Sequence, residues 1–359
     1  MKKKRIYHTM KSNGLFESEM TGQALSELEN PLERLTELID FELFRPELEA
    51  AVVNFEGKTA AGRPRMDVVM MFKVLVLQRY YNLSDRQAQY QITDRQSFRK
   101  FLGINTVDDV PDEKTIWNFR DKLCKSGSFD RLFDMFKEHL DSKGLSFQEG
   151  KIIDASFVEA PRNRNTREEN YTIKQGQGGS LWKDNPHKKS HKDIDARWTK
   201  KRDEAHYGYK VHAKIDNKTK LIEAHATTPA NVHDSNVVSQ LLDDSDRGQE
   251  LYADSGYEGR GEVIKRAGMK PVICEKGHRA HPLTDRQKAS NREKSRVRCR
   301  VEHVFGFIEG SMGGSLLRSI GMVRAKAHAA LTCLIYNMFR YIQICHYHPS
   351  LVEHRDNCA

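Results

Sequence analysis

Lys151-Ile-Ile-Asp-Ala-Ser-Phe-Val158 is the stretch that decides the fold. It is a short β-rich run with apolar residues on both sides of one acid, Asp154, and it begins where a long helical pattern stops, at Gly150. An ionised carboxylate inside an apolar strand is expensive to bury without a partner. These eight residues therefore mark both a change of architecture and a candidate site.

Upstream, from Gly62 to Leu140, apolar residues recur at helical spacing. Asp67 is placed to cap a helix carrying Val68, Met71, Phe72, Leu75, Val76 and Tyr80. Ser84-Asp85-Arg86-Gln87 has the form of a capping box and opens a second helix. Asp94 and Ser97 lead into Phe98, Phe101 and Leu102, and Asp112 opens a fourth helix with Ile116, Phe119 and Leu123 inward. Phe129 to Leu140 makes a fifth. Nearer the start, Leu28, Leu32, Leu35, Leu38 and Ile39 share helical spacing, with Pro31 in a first turn. The prediction is an all-α domain over residues 61–148, suited to DNA binding, behind an arm with a short helix over 1–60.

Downstream, a long hydrophilic segment runs from Pro161 to about Ala205, with Tyr171, Trp182 and Trp198 interleaved among its many Lys and Arg residues. The β pattern resumes at Tyr207–Ile215, turns at Asp216-Asn217-Lys218 and returns through Leu221–Ala226, which reads as a hairpin. A helix follows over Val237–Leu242, then a short strand, Leu251-Tyr-Ala-Asp-Ser-Gly256, that ends at an acid. Gly261–Ala267 reads as helix and Pro271–Cys274 as strand. Basic residues crowd Arg286 to Arg300, a helix runs through Val301, Phe305 and Ile308, and a last apolar helix spans Ala325 to about Ile344. The order β-β-β-α-β-α-β-α-α predicts a mixed α/β domain over 149–348, carrying a basic insertion at 161–205 and followed by a tail at 349–359.

Composition narrows the function classes. With 59 Lys and Arg against 50 Asp and Glu, the 359-residue chain carries +9, which favours polyanionic partners. Hydrophobic residues at 38% suit a folded, water-soluble protein rather than a disordered one. No apolar run reaches the roughly 18 residues of a membrane span. The basic start, Met1-Lys2-Lys3-Lys4-Arg5, lacks the apolar stretch of a secretory signal, so a cytosolic protein with no membrane partner is expected. Its cysteines (Cys124, Cys274, Cys299, Cys333, Cys345, Cys358) show no paired spacing, and reduced thiols are expected.

Three acids sit where a catalytic site wants them: Asp154 inside its strand, Asp254 at the end of another, and Glu302 on a helix beside Arg298. Sites of open α/β sheets lie outside strand ends, so these carboxylates can converge. Such a cluster repels itself unless it binds a divalent metal, and hard oxygen ligands suit Mg²⁺. Plainer alternatives stand beside this. Asp254 caps a turn, Glu302 is a solvated helix acid, and Asp154 is salt-bridged. Arg298 and Glu302, four apart, make an ordinary helix pair.

The chain resembles DDE-type bacterial insertion-sequence transposases that carry a helical N-terminal domain and a ribonuclease H-like catalytic domain. The matching segments are Ile153-Asp-Ala-Ser156, Ala196-Arg-Trp-Thr-Lys200, Tyr207-Gly-Tyr-Lys-Val-His212, Asn231-Val-His-Asp-Ser235, Ala253-Asp-Ser-Gly-Tyr257 and Arg300-Val-Glu-His303, with the helical run around Gly62-Arg-Pro-Arg65. The resemblance implies that Asp154, Asp254 and Glu302 form a triad binding Mg²⁺, for which Mn²⁺ may substitute. Relatives also carry a Tyr, Arg, Glu, Lys signature around the third acid. Arg298 and Glu302 match it, whereas Ser295 and Glu309 occupy the Tyr and Lys positions. The β domain that interrupts some relatives between the second and third acids is absent here, and the extra material follows the first strand instead.

What the resemblance implies is a transposase that binds terminal inverted repeats, cleaves DNA and transfers strands, acting as a homodimer or larger on DNA at the bacterial nucleoid. Two alternatives stay open: a transposase-derived DNA-binding protein without catalysis, and a metal-dependent nuclease without strand transfer. DNA contacts are expected from Lys188, Lys189, Lys192, Arg197, Trp198, Lys200, Lys201 and Arg202 of the insertion, with Lys210 from the next strand: the cations on phosphates, the Trp182 and Trp198 rings suited to stacking on an unpaired base. Too many cations and too few apolar residues predict that the insertion orders only on DNA. In the helical domain, Arg86, Arg95 and Arg99 are placed for a helix-turn-helix contact with duplex. His233 and Asp234 are expected beside the acids, and His303 in a structural role.

Overall fold

The structure, a computed structural model, describes residues 14, 17–28, 30–53, 65–145, 148–161, 163–201, 203–279 and 281–352. Its helical part comprises α1 (Glu17–Glu27), α2 (Pro31–Leu38), α3 (Arg45–Val53), α4 (Val68–Tyr80), α5 (Asp85–Asp94), α6 (Gln96–Leu102), α7 (Glu113–Ser126) and α8 (Ser128–Ser142). Local chemistry sets the starts. Asn30 caps α2 ahead of Pro31, and Asp67 Oδ1 accepts from the amides of Val69 and Met70. Ser84 and Gln87 cap α5 reciprocally, and Asp112 accepts from the Thr115 amide. Each cap contributes roughly 1 kcal/mol. The arm holds α1, α2 and α3, more than the one short helix expected. Gly62, Arg63 and Pro64 lie outside the described residues.

The second part contains β1 (Lys151–Glu159), α9 (Arg167–Lys174), α10 (Pro186–Ser190), β2 (Arg197–Lys201), β3 (Glu204–Asp216), β4 (Ile222–Pro229), α11 (Val238–Leu241), β5 (Glu250–Ala253), α12 (Gly261–Arg266), β6 (Lys270–Ile273), α13 (Asp285–Arg298), α14 (Arg300–Gly306) and α15 (Met322–Tyr347). β1 lies between β3, antiparallel, and β5, parallel, and β6 continues the parallel side. β3 is long enough to pair with β2 near its start and with β4 along the rest, on the edge away from β1. This mixed sheet, flanked by helices and preceded by an all-α region, is a ribonuclease H-like fold.

Close backbone approach explains the Tyr207-Gly208-Tyr209 motif. A Cβ on Gly208 would stand 2.3 Å from the Val158 carbonyl oxygen, so only glycine lets β3 lie against β1 there. The flanking tyrosines are both buried.

One hydrophobic core runs through both parts, from Phe44 and Phe72 to Leu334 and Ile335. Each such side chain contributes roughly 2 kcal/mol by leaving water. α15 threads it. Its Phe339 ring stacks on Tyr80 of α4, and its Asn337 carboxamide bonds both the amide and the carbonyl of Ile222 on β4. The change of element type at Lys151 is thus not a boundary of packing.

The basic insertion is folded, which corrects the expectation that it orders only on DNA. Thr166 and Glu169 form a capping box that opens α9, and Asn185 caps α10 ahead of Pro186. Glu169 accepts hydrogen bonds from the Trp182 indole and the Lys192 ammonium and pairs with Lys188 at 2.8 Å. Asp193 accepts from the Tyr209 hydroxyl and from the amides of Asp195, Ala196 and Gly321. Carboxylates organise this segment where apolar side chains are scarce.

Candidate active site

Strand pairing brings the first two acids together. β1 and β5 match Lys151 with Leu251 and Ile152 with Tyr252. Each acid follows that paired stretch by two residues, and the charge of Asp254 acts on Asp154. Asp254 directly follows β5, and its carboxylate accepts from the Gly256 amide at 2.8 Å. Glu302 arrives on α14, which continues α13 after a break at Cys299. Arg298, the last residue of α13, joins the set. Its Nη1 donates to Asp154 Oδ2 at 3.0 Å, and its Nη2 donates to Glu302 Oε1 at 2.7 Å. The guanidinium expected to face a phosphate thus stands between two of the acids.

The site's electrostatics follow from burial. Desolvation pushes Asp154 up to about 6, and neighbouring Asp254 adds to the effect. The Ala155 amide, Arg298 and Lys201 pull it the other way without cancelling the shift. Burial opposes the charge on Arg298, yet Asp154, Glu302 and Asp254 hold its pKa above the ordinary guanidinium value. Underneath lies the buried Tyr257 hydroxyl, which has no hydrogen-bond partner among the described residues. Burial and the charges of Asp234, Asp154 and Asp254 push its pKa upward.

Asp234, expected beside the acids, shares with Asp154 and Asp254 only the electrostatic influence on Tyr257. Lys210 donates to it at 2.8 Å, and His212 Nδ1 stands 4.0 Å away. Burial holds His212 down to about 4, so its ring is neutral at pH 7. His233 instead turns outward and caps the following turn through Ser235. Glu309 is drawn in by Ser156, whose hydroxyl donates to it two residues beyond Asp154. A carboxylate thus occupies the neighbourhood where relatives place Lys. Ser295 meets Cys274 Sγ at 3.9 Å. His303 lines a separate hollow with Lys220, Phe307, Tyr336 and Arg340.

Among the expected DNA contacts, Lys192 and Lys210 are corrected. Both are buried, and both ammonium groups are engaged inside the chain, Lys192 by Glu169 and the Arg164 carbonyl, Lys210 by Asp234 and the Val232 carbonyl. Lys189, Lys200 and Lys201 are exposed, and Lys188 is shared between solvent and Glu169. Arg197 donates to the Ile194 and Ala196 carbonyls. Arg202 lies outside the described residues. Arg86 and Arg95 are exposed on α5 and at its junction with α6, while Arg99 donates to the Thr93 carbonyl.

Each plainer alternative for the acids is also realised: Asp254 caps a turn, Asp154 is ion-paired, and Glu302 is exposed beside Arg298. None of these contacts separates the residues. Arg298 bridges Asp154 and Glu302, while Asp254 bonds the Gly256 amide. Among the described residues, no three His, Cys, Asp or Glu side chains form a ligand cage.

Comparisons with known proteins identify the family. A family model described as "Transposase DDE domain" matches residues 145–338, more than half of the chain. A second, described as "Transposase domain (DUF772)", matches residues 20–122 of the helical part. No solved structure matches the chain. Across both models and the acid-bearing sheet, the chain belongs to the DDE transposase family.

Proposed function

We propose that this protein binds the terminal inverted repeats of an insertion sequence, hydrolyses phosphodiester bonds at the element's ends and joins the freed 3′-hydroxyls to target DNA. The observation that supports this reading is the guanidinium of Arg298 bridging Asp154 of β1 and Glu302 of α14, with Asp254, just past β5, near enough for its charge to act on both Asp154 and Arg298.

The donor set fits Mg²⁺, with Mn²⁺ as substitute, because carboxylate oxygens are hard ligands and Asp154 carries a partly buried, desolvated charge that a cation relieves. Asp154, Asp254 and Glu302 would hold it, and it supplies activation of a water or 3′-hydroxyl and stabilisation of the leaving oxygen. The chain's own groups do the rest. Arg298 neutralises Asp154 and Glu302 in the absence of substrate, and turns toward a non-bridging phosphate oxygen when a phosphodiester enters. Lys210 and the neutral ring of His212 stand against Asp234. Lys189, Lys200 and Lys201 hold flanking phosphates, and Arg86, Arg95 and Arg99 of the helical part meet duplex. Two copies bring two ends together.

Supercoiled DNA carrying the element's ends, incubated with the full chain and Mg²⁺, tests this reading. Cleavage and joined products are expected. Asp154→Ala, Asp254→Ala and Glu302→Ala should each lower cleavage by on the order of 10³ or more while DNA is still bound. Cleavage without joining would leave a nuclease, and binding without cleavage by the native chain would leave a DNA-binding protein.

A further inference from the structure

A cavity of about 350 Å³ lies between the two parts of the chain, walled by α4, α5 and α7 on one side and by α15 and the connection before it on the other. None of the three acids lines it, but four arginines do: Arg79 of α4, Arg120 of α7, Arg318 of the connection and Arg324 of α15. Two carboxylates share the wall, and both are already engaged. Asp85 accepts from both Nη atoms of Arg120 and from Gln78. Asp121 pairs with Arg324 at 2.8 Å and with Lys125 at 2.6 Å. Among the described residues no carboxylate pairs with Arg79 or with Arg318, so two of the four guanidinium charges are unanswered.

Arg79 is the one that burial makes costly. Only 9% exposed, it donates through Nη2 to the Met312 carbonyl, and its Nη1 stands 3.4 Å from His328 Nδ1. Its Nε has no partner among the described residues. Burial, with the charge of Arg318 nearby, pushes its pKa down to about 10. His328 brings no charge of its own, because burial and Arg79 hold its pKa down to about 3. A buried donor without an acceptor is costly, and an arriving oxygen removes that cost. Arg318 is set in place from the other part of the chain. It donates to the Asn82 carbonyl at 3.0 Å, and a Cβ on Gly313 of the same connection would run into the Asn82 carboxamide.

We propose that this cavity binds one phosphomonoester dianion, held by Arg79 Nε and the Arg318 guanidinium, with the exposed Trp117 and Leu316 side chains at its mouth. The site is separate from the acids and does not depend on their chemistry. Charge selects the ligand: a phosphate monoester carries about −1.5 to −2 at pH 7 and matches two unanswered guanidinium groups, whereas each backbone diester carries one charge. Size acts in the same direction. The major groove of B-DNA alone is about 12 Å wide, so a duplex is too broad to enter a cavity of this volume. A phosphate bound there ties α4 to the connection that follows the Glu302-bearing α14, and so braces the helical part against the catalytic one. Such a group has two sources, a free phosphate ester or the 5′-phosphate at the end of a DNA strand.

Inorganic phosphate is the probe, added to the full-length chain at an ionic strength held constant with chloride, with heat of binding and thermal unfolding as readouts. One phosphate per chain should bind saturably and, at about a hundred times its dissociation constant, raise the melting temperature by about 3 °C. Arg79→Gln should abolish binding. Arg318→Gln alters an exposed side chain, which keeps its variant independent of any folding defect at Arg79, and should weaken phosphate about tenfold. A stabilisation that never saturates, or that is equal in the native chain and Arg318→Gln, is the general effect of an excluded solute and overturns the site. A native chain that binds no phosphate overturns it as well and leaves the proposed function standing. Duplexes ending in a 5′-phosphate or a 5′-hydroxyl separate the sources. Tighter binding of the phosphorylated end, lost in Arg318→Gln, assigns the cavity to a DNA end, and equal binding of the two ends beside saturable inorganic phosphate assigns it to a free ester.

Discussion

Two carboxylates in this molecule meet opposite surroundings. Glu169, in the insertion, is ringed by donors: Lys188, Lys192, the Trp182 indole and the Thr166 amide. Burial works against its charge, but these partners outweigh it and hold its pKa down to about 2. Asp154, in the sheet, is raised to about 6, because one shared guanidinium and one amide do not repay its burial beside Asp254. A carboxylate with surplus cations is a structural knot. One with too few is a place where a further cation gains energy by binding. The local balance of charge, rather than the presence of acids or bases in the sequence, separates architecture from chemistry here.

The contrast is most easily broken at the knot. Glu169→Ala leaves Lys192 buried without its anion, which should cost roughly 3–5 kcal/mol and open residues 161–205 to protease, read by denaturant unfolding and limited proteolysis. Acid should do the same reversibly. The stabilisation by Glu169 is present above the ordinary carboxylate value and is lost as pH falls from about 4.5 toward about 2. Unchanged proteolysis at pH 3 would show that the insertion does not depend on this charge.

At Asp154 the sign reverses. Between its ordinary value near 4 and the folded value of about 6, the folded chain keeps a proton that the unfolded chain has released, so stability falls as pH rises through that window. Asp154→Asn should therefore raise stability at pH 7.5 by up to about 3 kcal/mol, less whatever the Arg298 contact loses, and have little effect at pH 4. Added Mg²⁺ should raise the melting temperature of the native chain and not that of Asp154→Asn. A variant less stable than the native chain at pH 7.5 would refute the uncompensated charge.

The smallest effect on stability belongs to the exposed lysines. Replacing Lys189, Lys200 and Lys201 by Gln should shift stability by less than about 0.5 kcal/mol while flattening the log–log salt dependence of DNA binding by close to one unit per lost contact. An unaltered slope would place the phosphate contacts elsewhere.

Local signals were legible in the sequence. The caps at Asp67, Ser84 and Asp112, the strand around Asp154 and the hairpin turn at Asp216 each depend on residues within a few positions, and each stands where it was read. The helix α13 was hidden because none of its residues is buried, so it has no apolar stripe, although the Thr284–Gln287 capping box announces its start. In the insertion, Thr166–Glu169 and Asn185-Pro186 gave the same kind of notice amid the charge. The Arg298 bridge to Asp154 spans a separation of 144 residues, and no local pattern encodes a meeting at that range. The burial of Lys192 and Lys210 was illegible for the same reason, since a cation's partner decides whether it is spent.

The threading of α15 through the core has a consequence for how the protein is made. Tyr80 of α4 finds its stacking partner only when Phe339 follows, some 260 residues later in synthesis. At about 5–20 residues per second, the helical half waits on the order of ten seconds or more with its apolar face uncovered. Contacts so distant in sequence also slow the search for the native state. A nascent chain of this kind closes this core only after α15 has been synthesised.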